Sequence, residues 1–161
     1  MKYCPKCATP LTSKPLDGQT RQLCPAEQCG FVYWNNPTPV VAAVIEIEQK
    51  ALLVHNVSWP AKMFALVSGF LEANEDPRDA VIREIQEETN LQTHTAELLG
   101  VYPFQMMNQV IIAYRTECSG VIQLNEELDD YKLLEFNAVK TWEFGTGLAL
   151  KDWLATKNQN T

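Results

Sequence analysis

This 161-residue sequence predicts a mixed α/β sandwich preceded by a small metal-bound module. Three observations carry that expectation: two pairs of cysteines near the N-terminus, apolar strand-like runs from Val40 onward, and one clear helix set among those runs. Strands flank the helix on both sides, and internal repeats and low-complexity segments are absent, so a repeat array is excluded.

The chain is as long as one ordinary domain with residues to spare, and it divides into a metal module at 1–33 and a main domain at 34–161. A composition of 46% hydrophobic and 20% charged residues is that of a soluble globular protein. No segment nears the run of about 20 apolar residues that spans a bilayer, so no membrane partner is expected. The opening MKYCPKCATPL has no apolar stretch behind its lysine, so no secretory signal is read there and a cytoplasmic location is expected. In a reducing compartment the five cysteines are metal ligands or free thiols rather than disulfides. The net charge of −7 argues against a surface that grips long nucleic acid through its phosphates. Residues 1–33 carry four basic and two acidic side chains, giving +2, which leaves −9 on residues 34–161.

Cys4 and Cys7 form a CxxC pair, and Cys24 and Cys29 form a CxxxxC pair after sixteen intervening residues. Two hairpin tips of this kind can place four thiolates around one tetrahedral Zn²⁺. The connecting TPLTSKPLDGQTRQL is too polar to build a core, so the metal would supply much of the folding energy. Pro5 and Gly30 suit the tight turns that aim backbone amides at sulfur. Two disulfides, or four unrelated thiols, are the competing arrangements, disfavoured by paired spacing in a chain expected to be cytosolic. Cys118 has no partner in sequence and reads as a packed or free thiol.

In the main domain, VVAAVIEIE, ALLVHN after a turn at Gln49-Lys50, and FALVSGF after the loop SWPAKM read as strands. A helix follows over roughly 76–90, with Asp76 as N-cap, Pro77 at the first helical position and Asp79 in the first turn. Further strands are expected around AELLGVY, NQVIIAYRTE and YKLLEF, then a last amphipathic helix through Leu148, Leu150, Trp153 and Leu154. The tail KNQNT is expected to fray.

On a helical wheel Val81, Ile82, Ile85 and Thr89 form the buried stripe, while Glu84, Glu87 and Glu88 share another sector with Ala80. Glu84 and Glu88 are one turn apart, and like charges so placed destabilise a helix by a few tenths of a kcal/mol. The pattern makes sense if a divalent cation sits there, because Mg²⁺ or Mn²⁺ takes carboxylate oxygens and keeps waters and substrate phosphates as its other ligands. A solvated acidic face is the alternative for any Glu-rich helix.

The flanking residues decide between them. From Gly69 to Leu91 the chain reads G-F-L-E-A-N-E-D-P-R-D-A-V-I-R-E-I-Q-E-E-T-N-L, which resembles the Nudix box G-x5-E-x7-R-E-U-x-E-E-x-G-U, where U is aliphatic, at every specified position but one. Asn90 stands where the family has glycine, at a helix end that favours the left-handed conformation, which asparagine tolerates. Asn74 also stands where many relatives have glycine. With its cysteines, the chain is similar to the zinc-ribbon subgroup of Nudix hydrolases, which includes NADH pyrophosphatases and plant FAD pyrophosphatase-like enzymes.

The resemblance implies a Nudix α/β/α sandwich with a mixed sheet that cleaves nucleoside diphosphates linked to another moiety. It implies Glu84 and Glu88 as principal Mg²⁺ or Mn²⁺ ligands, with Glu87 beside them and the Gly69 carbonyl nearby, and Arg83 orienting the cluster through Glu75. Relatives draw a further acidic residue from a downstream loop; here LNEELDDYKLL offers Glu126, Glu127, Asp129 and Asp130, and the E-x-x-E of relatives points to Glu127 and Asp130. A flat apolar partner for adenine or flavin is sought among Trp34, Trp59, Tyr102 and Phe104. NADH pyrophosphatases carry S-Q-P-W-x-F-P-x-S after the box, whereas the comparable GVYPFQMMNQ retains only a Pro-Phe. A dedicated NADH pocket and removal of NAD caps from RNA are therefore not expected, and Tyr102, Phe104 and Gln105 are the residues that would shape the pocket in its place. His94 reads as a surface residue, and His55 lies in or near a strand end.

The expected activity is metal-dependent hydrolysis of the pyrophosphate in ADP-ribose, FAD or an NADH-like dinucleotide. The alternatives are a nucleoside-triphosphate house-cleaning pyrophosphatase, a non-catalytic nucleotide sensor, which the intact glutamates disfavour, and a zinc-ribbon nucleic-acid adaptor, which the −9 main domain disfavours. Small nucleotides are the expected partners, and a homodimer is carried by the resemblance alone.

Overall fold

The structure, a computed structural model, describes residues 1–158 and separates into two compact units, 1–36 and 37–161. The last three residues of the KNQNT tail lie outside the described residues, whereas Lys157 and Asn158 belong to the final helix.

In the first unit β1 (Thr12–Leu16), β2 (Gln19–Leu23) and β3 (Val32–Tyr33) form an antiparallel sheet in that order. Reading this stretch as merely polar overlooked its strands. Their signal is Asp17-Gly18, both at positive φ (51° and 77°), the turn that joins two strands in a two-residue hairpin. Backbone pairing forms this sheet, and its side chains remain largely exposed.

In the second unit β4 (Thr38–Ile47), β5 (Lys50–Asn56), β6 (Val67–Phe70), β7 (Gln92–Phe104), β8 (Gln109–Ser119) and β9 (Leu128–Glu135) make one mixed sheet in the order β7-β8-β4-β5-β9. Only β4 and β8 run parallel among these pairs. Helices α1 (Pro77–Thr89) and α2 (Thr146–Asn158) cover opposite faces. Val41, Ala43, Ile45 and Ile47 of β4 pack with Ala80, Val81 and Ile85 of α1, while Val40, Ala42 and Val44 belong to the apolar clusters that hold Ala149, Leu150 and Trp153 of α2. A strand covered on both faces needs apolar residues at successive positions, which is why VVAAVI runs unbroken.

The far edge of β4 is divided: Val40–Ala43 pair with β6, and Ile45–Ile47 pair with β5. Thus β6 is a short strand, and Phe64–Leu66 precede it as a loop segment in which Ala65 makes an isolated bridge to Val54. The β4–β5 turn is Glu48-Gln49, both at positive φ, with Lys50 already the first residue of β5. Helix α1 begins at Pro77 behind an Asp76 cap that accepts the Arg78 amide at 2.8 Å, and it ends on Asn90 at φ 58°, ψ 18°. Asn74 also adopts positive φ (65°). Ala80 is fully buried and Glu88 nearly so, so this part of the glutamate sector turns toward the protein rather than to solvent. No helix among the described residues is long and apolar enough to cross a membrane.

Candidate active site

Divided pairing along β4 leaves the end of β6 beside α1, and a cleft of about 530 Å³ opens there. Its walls include Gly69 and Phe70 of β6, Glu84 and Glu88 of α1, Glu127 from the loop before β9, Trp59 from the loop after β5, and Ser68 and Gln109. Gly69 leaves room for the Glu84 carboxylate: a Cβ built on it would lie 2.0–2.4 Å from that group and displace it from its present position.

Arg83 organises the acidic side chains. Its Nε and Nη2 donate to the two oxygens of Glu75 at 2.8 and 3.0 Å, Nη1 donates to Glu84 (2.8 Å) and Glu87 (3.1 Å), and Nη2 also reaches the Phe70 carbonyl at 3.3 Å. The paired guanidinium lowers the pKa of Glu75. Glu88 is the opposite case, because no donor side chain among the described residues pairs with it. Burial, reinforced by the charges of Glu84, Glu127 and Glu87, pushes it up to about 8. A carboxylate so placed lacks the cation that would stabilise its charged form, which fits a divalent-metal ligand.

The remaining expected residues are dispersed. Glu87 is exposed and engaged with Arg83, outside the cleft lining. Asp130 sits opposite His55 in the β5–β9 register, also outside it, with Oδ1 accepting the Tyr131 amide. Tyr102 is buried beneath α2, its hydroxyl donating to Asp152 at 2.9 Å, and burial first, then Asp152, pushes it up to about 12. It is a packing residue in this structure. Gln105 is exposed in a 3₁₀ turn, and Trp34 belongs to the first unit, under the Arg21 guanidinium.

Phe104 instead lines a smaller cavity of about 110 Å³ with Met63, Trp142 and Phe144, and stacks on Phe144 at 6.1 Å. Trp59 and Ser68 line both spaces, so the cavity adjoins the acidic cleft. Sequence reasoning overlooked Trp142 and Phe144, whose available signal was the aromatic pair flanking Glu143 just before the last helix. His94 is exposed and meets Ser119, and Cys118 is a buried core thiol.

In the first unit the sulfurs of Cys4, Cys7, Cys24 and Cys29 all lie within 4.8 Å of one another, and all four are free thiols. Closest pairs are 3.5–3.6 Å apart. Tetrahedral zinc with Zn–S of about 2.3 Å requires edges of about 3.8 Å, so the donor set fits zinc. Hydrogen bonding to the side chain and backbone of Thr9 lowers Cys7 to about 6, whereas burial and the neighbouring thiols push Cys24 up to about 12 and raise Cys29, so the fit to zinc rests on the geometry of the four sulfurs.

Comparisons with known proteins agree with this architecture. The NUDIX domain model matches residues 36–153. An ADP-ribose pyrophosphatase of Methanocaldococcus jannaschii is 30% identical over 129 residues, covering 76% of each chain. An NAD-capped RNA hydrolase, NudC, of Pseudomonas fluorescens is 21% identical across 86% of this chain, which spans about half (49%) of that relative's length. The crystal structure of a Nudix hydrolase from Nitrosomonas europaea superposes with a TM-score of 0.83 at 24% identity, covering 100% of this chain and 94% of its own. With the domain model matching residues 36–153 and a 30% identical relative covered over 76% of its length, the chain belongs to the Nudix family.

Proposed function

We propose that this protein is a divalent-metal-dependent pyrophosphohydrolase acting on a nucleoside diphosphate linked to another moiety, with ADP-ribose or FAD the best-fitting substrates. The observation that carries the reading is the convergence of Glu84, Glu88 and Glu127 with Gly69 on one cleft that adjoins an aromatic cavity. Glu84 and Glu88 would hold Mg²⁺ or Mn²⁺, with the Gly69 carbonyl beside them. The bound metal supplies charge neutralisation at the pyrophosphate oxygens and lowers the pKa of a bound water.

The chain's own residues do the rest. Arg83 fixes the Glu84 carboxylate through a fork also anchored on Glu75, so the ligand is positioned before substrate arrives. Glu127, which lines the same cleft, would take the proton of the attacking water; Asp130, the other acidic residue considered, is not among the lining residues. Trp59, with Phe104 and Phe144 behind it, offers the flat apolar surface that a nucleobase or flavin ring needs. Cys4, Cys7, Cys24 and Cys29 would hold a structural Zn²⁺.

The relatives support the class of reaction: one is named an ADP-ribose pyrophosphatase and others are named NAD-capped RNA hydrolases. The test is a screen of ADP-ribose, FAD, NADH and nucleoside triphosphates with Mg²⁺ and Mn²⁺, the products identified by mass. We expect two phosphate-containing products from ADP-ribose or FAD, with kcat/KM at least equal to that for NADH. A strong preference for NADH, or release of inorganic pyrophosphate from triphosphates alone, would overturn the reading.

A further inference from the structure

His55 is the second-last residue of β5, buried, and plays no part in the chemistry above. Its two ring nitrogens face two acceptors on two different segments, the start of β9 and the loop after β5. Nδ1 lies 2.5 Å from Asp129 Oδ1, and Nε2 lies 3.2 Å from the Pro60 carbonyl oxygen. A backbone carbonyl can only accept, and an ionised carboxylate can only accept, so satisfying both requires N–H on both nitrogens. Neutral imidazole has one such donor, whereas imidazolium has two.

Asp129 reaches His55 because the strand is interrupted there. His55 pairs with Asp130 and Asn56 with Leu128, leaving Asp129 as the extra residue of a β-bulge, a device that re-aims side chains beside functional sites. Pro60 lies in the loop that carries Trp59, and Asp129 is two residues from Glu127. Those two residues line the cleft from these two segments, which also meet through the Val57 amide donating to the Glu127 carbonyl at 3.0 Å.

We infer that doubly protonated His55 braces the loop bearing Trp59 to the segment bearing Glu127, and so is a positioning residue for the cleft; the assignment of a catalytic consequence rests on the function proposed above. The charged groups that bear on it come from β9: Asp129 in contact and Asp130 nearby, while Lys132 lies over the ring of Phe64, which itself meets the His55 ring at 5.5 Å. Hydrogen bonding to Asp129 raises the pKa of His55 above its ordinary 6.5, outweighing burial. The brace is therefore complete below that raised value and is lost as pH rises through it.

The chain has two histidines, so long-range ¹H–¹⁵N spectra of the labelled full-length protein resolve His55 directly, with His94→Gln assigning the second ring. We expect His55 to titrate above 6.5, so that both nitrogens are predominantly protonated at pH 6.5, and Asp129→Asn, a change at an exposed carboxylate, to move the titration down. Hydrogen exchange of peptides spanning 57–63 and 125–129 should quicken several-fold in Asp129→Asn and in His55→Gln. The alkaline limb of kcat/KM for ADP-ribose should shift in Asp129→Asn by the same amount as the His55 titration, which a merely structural role would not produce.

A neutral tautomer predominating at pH 6.5, an unmoved titration in Asp129→Asn, or a moved titration that leaves loop exchange and the alkaline limb unchanged would each overturn the brace. Failure of the wild type to hydrolyse ADP-ribose would count against the proposed function instead, while the spectra and the exchange data would still decide whether the brace exists.

Discussion

At the scale of single residues, Glu88 is the side chain whose surroundings are worst matched to its charge. It is buried, faces Glu84, Glu87 and Glu127, and lacks a donor among the described residues, so its carboxyl is raised to about 8. Since that folded value lies above the ordinary 4.5, the protein without added Mg²⁺ or Mn²⁺ loses stability as pH rises from about 4.5 toward 8. Glu88→Gln removes the charge and keeps the shape. It should raise Tm at pH 8, change it little at pH 5, and lower kcat/KM on the order of 100-fold or more. Glu84→Gln should cost as much activity without the gain in Tm, because Glu84 already has its Arg83 partner. Retention of most activity by either variant would refute the assignment of these carboxylates to the metal.

At the scale of elements, α1 holds the site in place through its two ends. The Asn90 cap takes the left-handed conformation, with its amide bonded to the Gln86 carbonyl and its Oδ1 accepting from Gln86 Nε2 at 3.1 Å. A side chain without asparagine's tolerance pays about 1–2 kcal/mol for that backbone. Asn90→Ala should therefore destabilise by about 1 kcal/mol in urea unfolding, and Asn90→Gly by much less. Equal losses from both would mean that the side-chain contact, not the backbone, matters at this cap. This helix was legible in the sequence because its signals are local: Asp76, Pro77 and Asn90 each act within one turn. Gly69, Glu84 and Glu88 were legible for the same reason, all lying inside 23 consecutive residues. Trp142 and Phe144 were not, since an aromatic residue reveals its cavity only when distant strands are assembled, and Tyr102 and Phe104, two apart on β7, went respectively under α2 and into the cavity wall. The pairing of His55 with Asp129 depends on a bulge, which no period in the sequence announces.

At the scale of the whole molecule, the two units differ in what can hold them together. The second has three clusters of buried apolar residues drawn from both faces of its sheet. Among residues 1–36, by contrast, only Cys4 and Cys24 are buried, and both belong to the thiol quartet. A module of fewer than about 40 residues with no apolar core needs a metal or cross-links, and four free thiols with closest pairs 3.5–3.6 Å apart would supply the first kind of support by holding a metal. We therefore expect one zinc per chain by metal analysis, unchanged in Cys118→Ser, whose thiol packs in the second unit's core. Binding of structural zinc is worth on the order of 10 kcal/mol, so stripping it should unfold the first unit outright. The second unit should keep a cooperative thermal transition close to its original Tm, because its buried clusters are built from its own residues, numbered 40 to 154. Calorimetry and zinc release followed together would show the two events apart. Purified protein with no zinc, four thiols counted as disulfides, or a first unit that stays folded after the metal leaves would each show that something other than the thiol quartet stabilises it.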